Sequence, residues 1–167
     1  MPYPRAAMEL PLNPDFPYYL AEADLIELGD HFQQSGSVDW SRFLFFAEKL
    51  SVAPGERLIR QFDCDATVYI LTHGELDVRI SSTPEGPEQS IASVSPIAVI
   101  GEQSFLDDGP RTASVVAKMR STVYRLNRAA FDEMRSEEPT VAWAFLLDIA
   151  SALSRRSRSL LAKQAGL

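Results

Sequence analysis

Between Glu48 and Leu126 the chain is a succession of short apolar runs, each cut off by a turn signal. Leu50 and Val52 alternate with polar residues, and Pro54-Gly55 then turns the chain. Further runs follow at Arg57 to Gln61, Thr67 to Leu71, Glu75 to Ile80, Ser90 to Val94, Ile97 to Ile100, Thr112 to Lys118 and Thr122 to Leu126. Asp63-Cys64-Asp65 and the Ser, Pro and Gly-rich loop from Ser81 to Glu88 punctuate them, and His73-Gly74 predicts a tight hairpin between its two flanking runs. Runs this short hold period-two strands but not packed helices. Many short strands with regular turns predict a sandwich or a barrel.

The flanks read differently. Residues 1 to 18 carry Pro2, Pro4, Pro11, Pro14 and Pro17, which exclude helix interior and central strand alike and predict an extended arm. Tyr19 to Phe32 is helical in pattern, with Leu20, Leu25, Ile26 and Leu28 on one face. Ser37-Val38-Asp39 offers an N-cap to a second short helix, Trp40 to Phe46. After the strands, Asn127 is an N-cap candidate for a helix through Ala129, Phe131 and Met134. Pro139 suits the first turn of a last helix. There Leu146, Ile149, Leu153 and Leu160 keep a 3,4 spacing, and Trp143, Phe145 and Leu147 widen the apolar face near its start. Such a helix packs half on the barrel and leaves half for another chain. The expected organisation is an arm and helices over 1–46, a β barrel over 47–126 and terminal helices over 127–167.

Composition excludes several function classes. With 23 acidic against 16 basic residues the net charge is −7, which opposes nucleic-acid binding. Cys64 is the single cysteine, so no internal disulfide forms, and a reducing, cytoplasmic setting is expected. No apolar run is long enough for a bilayer, and the N-terminus lacks the apolar stretch of a signal peptide. His31 and His73 are the only histidines, too few for a metal site of several His with a Glu on a barrel. No phosphate-binding P-loop and no Ser-His-Asp elbow is present, so an enzyme is not expected.

The stretch from Ile100 to Val116 carries the chemistry. It reads as a strand end, Gly101, one short helical turn, the turn Asp107-Asp108-Gly109-Pro110, then Arg111 opening a strand. Gly101 allows close backbone approach. Gln103, Ser104 and Phe105 are expected to present free N–H groups at the helix start, an anion site. Arg111 supplies a cation from the other side, and Glu102 requires a hydroxyl or an amine to accept from. A ligand with a phosphate beside a ribose hydroxyl meets all three demands. The plainer readings are an arginine pairing Asp107 or Asp108, and a glutamate that simply suits a helix N-terminus.

These residues, G-E-x-x-x-L-x-x-x-P-R-T-A from Gly101 to Ala113, resemble the phosphate-binding cassette of the cyclic nucleotide-binding domain family, and the Glu102 to Arg111 spacing is that of its kinase and channel members. P-G-E-x-L at Pro54 and V-Y-I-L-x-x-G-E-L-D-V from Val68 are similar to the first half of that family's barrel, so the resemblance spans roughly Phe45 to Leu161. It implies a mainly β jelly roll (a double-stranded β-helix) with helices at both ends. It implies cyclic AMP or cyclic GMP as ligand, no metal, and contacts from Gly101, Glu102, Gln103, Ser104, Arg111, Thr112 and Ala113. Gln103 and Ser104 depart from the common G-E-L-A pattern. A threonine after the arginine is compatible with guanine, yet channels responding to cyclic AMP carry the same R-T-A-S, so Thr112 does not choose the base. The C-terminal helix of the family caps the nucleotide and often pairs two subunits. Arg155, Arg156, Arg158, Ser159 and Leu160 are the candidates here, with a solvated basic helix end as the plain alternative.

The expected function is a cyclic-nucleotide sensor, with cyclic AMP favoured, whose C-terminal helix closes on the ligand and signals to a protein effector or a second subunit. The chain ends at Leu167, so no DNA-reading domain, kinase or pore is expected within it, and neither nucleic acid nor membrane insertion is among its expected partners. The alternative is a degenerate domain of the same type, acting as a ligand-free dimerisation or scaffold module. Gln103, Asp107 and Asp108 keep that alternative open.

Overall fold

The apolar runs become eight strands in two four-stranded antiparallel sheets: β1 Glu48–Val52, β2 Arg57–Ile59, β3 Val68–His73, β4 Leu76–Ile80, β5 Gln89–Val94, β6 Ala98–Ile100, β7 Ser114–Ala117 and β8 Ser121–Leu126. A computed structural model describes residues 41–164. One sheet has the order β1-β8-β3-β6 and the other β2-β7-β4-β5. Successive strands thus fall on opposite sheets, except β4 and β5, which pair with each other, and the fold is a jelly roll. The expected His73-Gly74 hairpin does not form. β3 pairs with β6 and β8, whereas β4 pairs with β5 and β7, so the turn carries the chain from one sheet to the other. Gly74, at φ +96°, passes so close to β8 that a Cβ would meet the Arg120 carbonyl at 2.7 Å.

β3 explains why the barrel holds its helices. All of Val68, Tyr69, Ile70 and Leu71 are buried, but on alternate faces. Tyr69 and Leu71 join Val52, Ile59, Leu76, Ile100, Val115 and Val123 between the sheets. Val68 and Ile70 face outward and, with Val99, Tyr124 and Leu126, pack under the helices. A strand covered on both faces reads as a continuous apolar run rather than a strict alternation.

Among the described residues, three helices and a 3₁₀ turn supply that cover. The turn is Phe43–Phe45, and it is all that forms of the predicted second helix within the described residues. The predicted arm and first helix lie outside them. α1 is Glu102–Asp107, α2 Arg128–Glu137 and α3 Pro139–Gln164. Asn127 caps α2 as expected, its side-chain oxygen accepting from the Ala130 N–H at 2.9 Å. On α3 the broad apolar face splits. Val141, Ala142, Phe145 and Ile149 are buried, Phe145 lying 4.9 Å from Phe43, while Trp143 and Leu147 point outward and are exposed. No helix among the described residues is long and apolar enough to cross a membrane.

An ion pair pins the start of β5 across the second sheet. Glu88 receives both terminal nitrogens of Arg57, at 2.5 and 3.1 Å, and the Ser114 hydroxyl at 2.7 Å. Hydrogen bonds from Arg57 and then Ser114 hold the Glu88 carboxyl down to about 2, against an opposing push from burial. A carboxyl lowered on folding stabilises the fold above its unfolded value of 4.5, and that contribution is lost as pH falls through about 2. Glu88→Gln is therefore expected to flatten the acid limb of the stability curve in that window, read by urea titration at stepped pH. An unchanged limb would mean that Glu88 is paired in the unfolded chain as well.

Candidate ligand site

The site is built where β6 runs into α1. Gly101 lies at φ +78°, a left-handed conformation that side chains disfavour. A Cβ there would stand 2.5 Å from Arg111 Nη1 and 3.0 Å from the Thr67 carbonyl, so sterics and conformation both require glycine. No side chain caps α1 at this end. Phe105 donates its N–H to the Gly101 carbonyl at 3.3 Å. It is therefore not among the free donors, and of the three residues expected to present N–H groups there Gln103 and Ser104 remain.

Arg111 arrives from the turn after α1 and is almost wholly buried, its side chain 2 % exposed. Its guanidinium donates to the carbonyls of Gly101 (3.0 Å) and Thr67 (2.6 Å) and to the Asp65 carboxylate (2.5 Å). Asp65 is brought there by the backbone. The Phe62 N–H donates to the Arg111 carbonyl and the Arg111 N–H to the Asp63 carbonyl, each at 2.9 Å, which presses the 61–65 turn against the arginine. The Thr67 hydroxyl then donates to Asp65 at 2.7 Å. Burial pushes the Asp65 carboxyl up, but the Thr67 and Arg111 hydrogen bonds overcome it and hold it below the ordinary aspartate value. The pairing of Arg111 with Asp107 or Asp108 is thereby corrected. Asp107 instead accepts from the Gly109 N–H at 2.9 Å, and Asp108 pairs with Arg128 at 3.0 Å.

Glu102 is buried in the first turn of α1, and its carboxylate is taken by Arg156 of α3. The same guanidinium donates through Nη2 to the Val99 carbonyl on β6 at 2.8 Å. Arg155, Arg156 and Arg158 on the last helix are all exposed, and Arg156 is the one bonded to the cassette. The side chains of Ser159 and Leu160 lie outside the described residues.

Phe105 and Arg128 connect this site to the helices. Phe105 is fully buried, edge-on to Phe131 of α2 at 5.3 Å and to Phe145 of α3 at 6.2 Å. Arg128, the first residue of α2, stacks its guanidinium over the Phe105 ring at 4.8 Å and donates to the Phe105 carbonyl and to Asp108. A displacement of α1 therefore has to move against both α2 and α3.

Of the residues read from the sequence, Gly101, Glu102, Ser104 and Arg111 gather in the buried part of the site or at its edge. Gln103 and Thr112 are exposed, and Ala113 is half-buried next to Arg111. An exposed Gln103 needs no buried partner. Sequence reasoning missed Asp65, Thr67 and Arg128. Asp63-Cys64-Asp65 reads only as a turn, although a second acid three residues before the buried apolar run from Val68 was the available signal. No three His, Cys, Asp or Glu side chains gather as a metal site among the described residues.

The family model for the cyclic nucleotide-binding domain matches residues 49–138. A cAMP-dependent protein kinase regulatory subunit of Mucor circinelloides is 26% identical over 119 residues, 71% of this chain and 26% of that protein. The acetyltransferase Pat of Mycolicibacterium smegmatis is 36% identical over 83 residues, 50% of this chain and 24% of its own length. The chain thus spans about a quarter of each of these curated relatives. Among solved structures, a cyclic nucleotide-binding domain from Methylobacillus flagellatus superposes with a TM-score of 0.71 at 24% identity, covering 85% of this chain and 84% of that one. At that identity the likeness speaks for the fold.

Proposed function

The chain belongs to the cyclic nucleotide-binding domain family, and from that premise we propose that it is a sensor that takes cyclic AMP in preference to cyclic GMP and passes its occupancy on through α3. The observation that carries this reading is the meeting of three parts at one point: Glu102 at the start of α1, Arg111 locked against the Gly101 carbonyl, and Arg156 of α3 on Glu102. On this reading the ligand's phosphate accepts from the N–H groups of Gln103 and Ser104 and from Arg111, and its ribose hydroxyl donates to Glu102. The hydroxyl and Arg156 then share or contest one carboxylate, so the position of α3 depends on whether the site is filled. Phe105 transmits the same event to both helices through its ring contacts. Such a switch works only if the ligand binds the two helix positions with different affinity. The preference for cyclic AMP is supported by the Mucor relative, a regulatory subunit of a cAMP-dependent kinase. The exposed Trp143 and Leu147 offer α3 a face for a second copy or a protein effector.

A ligand-free scaffold is the second reading, and one observation favours it: Arg111 and Glu102 already have charged partners within the chain. Thermal unfolding with cyclic AMP, cyclic GMP and AMP separates the two. A ligand at one hundred times its dissociation constant stabilises by about 2.7 kcal/mol. That is a rise on the order of 5–10 °C for a domain of this size. The sensor predicts this rise with cyclic AMP, a smaller one with cyclic GMP and none with AMP. No rise with either cyclic nucleotide would leave the scaffold.

A further inference from the structure

The two sheets have four edge strands, and three of them are blunted against a further strand. β1 carries Glu48 and Lys49 along its edge. β2 is three residues long, and its Arg57 is tied to Glu88. β6 is also three residues long, and Arg156 donates to its Val99 carbonyl at 2.8 Å. Short strands, charges and covering groups are the usual protections of a sheet edge. β5 has none of these. Its six residues, Gln89-Ser90-Ile91-Ala92-Ser93-Val94, hold no charge and no proline, and the first five are exposed. Among the described residues their backbone bonds to β4 alone. A bulge opposite Val78 and Arg79 sets Ile91 out of the ladder. At 53% exposure it presents an apolar side chain where a protected edge places a lysine.

We propose that β5 is an interface at which two copies of this chain pair edge to edge, antiparallel about a two-fold axis, so that their β2-β7-β4-β5 sheets become one continuous sheet. Charge selects the occupant. A two-fold sets the central residue opposite itself and every other residue opposite a near neighbour from the same strand. A charged edge would therefore face its own kind, and like charges directly opposite destabilise a strand pair. β5 is uncharged, and its serine hydroxyls and glutamine amide donate and accept alike, so it is complementary to itself. Pro87 and Pro96 lack the N–H that a ladder needs and bracket the strand, which places the axis at Ile91 or Ala92. Six residues a side is little against the roughly 1,200–2,000 Å² of a stable interface, so the dimer is a weak one that forms at high protein concentration. No residue of β5 belongs to the ligand site, and the inference stands apart from the nucleotide reading and from the exposed face of α3.

The test is sedimentation of the full chain over a concentration series, in about 0.15 M salt to screen its net charge of −7. The wild type is expected to pass from a monomer to a dimer as concentration rises. Ile91→Lys sets a charge at or beside the axis on both copies, and it is expected to raise the dissociation constant by about tenfold or more. The melting temperature of the dilute protein is expected to stay unchanged, because the side chain is exposed. Ile91→Cys and Ala92→Cys, each in a Cys64→Ser chain, read the geometry directly. At least one of them is expected to oxidise to a disulfide-linked dimer faster than Trp143→Cys in the same background, although Trp143 is more exposed than Ile91. A monomer at every concentration would overturn the proposal. A dimer that Ile91→Lys leaves intact would overturn it too, as would cross-linking through position 143 and not through 91 or 92, which would place the contact on α3.

Discussion

Phe105→Ala is expected to lower the free energy of unfolding by about 3–5 kcal/mol, the cost of emptying a large aromatic site in a packed core. The ring is fully buried and touches α2 through Phe131 and α3 through Phe145. Its loss also strips the surface on which Arg128 stacks. No single neighbour can collapse into the space, because the ring's contacts come from two separate helices. In a denaturant titration the midpoint falls with the slope unchanged. Any fold that survives is expected to keep its strands and lose the coupling of α3 to the site. A loss below about 1 kcal/mol would place the ring on a surface that relaxes freely, in conflict with its burial.

Arg111→Lys is expected to weaken cyclic AMP binding by about a hundredfold, even though the charge is kept. Lysine carries a point charge on a flexible stem and cannot serve two carbonyls and an anion in the fixed fork of a guanidinium. Each charge-assisted hydrogen bond lost costs about 1.5–3 kcal/mol, and the Gly101 and Thr67 carbonyls are left short of a donor. Arg111→Glu is expected to abolish binding, since it sets a second carboxylate beside Asp65. Titration calorimetry well below each variant's unfolding temperature keeps binding separate from stability. Affinity for Arg111→Lys within threefold of wild type would mean that the phosphate is held by the backbone N–H groups alone.

The cassette was legible because it is local. Gly101, Glu102 and Arg111 lie within one turn of helix and one reverse turn, and the residue types required at each step are narrow: a glycine at positive φ, an acid on the first turn, an arginine opening a strand. The strands were legible for a similar reason, since period two shows in the sequence whichever sheet receives the strand; their ends shifted by one or two residues, some shorter and some longer than the runs. The partners of the cassette were not legible. Asp65 is 46 positions from Arg111, and Arg156 is 54 from Glu102. Local pattern contains no record of which distant turn will be pressed against which arginine.

The amino-acid sequence by itself determined a barrel of short strands, a capped helix after it, and a glycine-glutamate-arginine motif with the chemistry to hold an anion beside a hydroxyl. Those follow from backbone sterics, side-chain periodicity and turn chemistry, which act over a few residues. Tertiary structure alone decided that His73-Gly74 crosses between sheets rather than closing a hairpin, because strand partners are chosen by shared burial and not by the turn. It also decided that Phe145 enters the core while Trp143 faces outward, since the rotation of α3 is set by the sheet beneath it. And it decided that both cassette charges are paired, one by Asp65 and one by Arg156, because buried charges take whichever opposite charge the packed chain brings within reach.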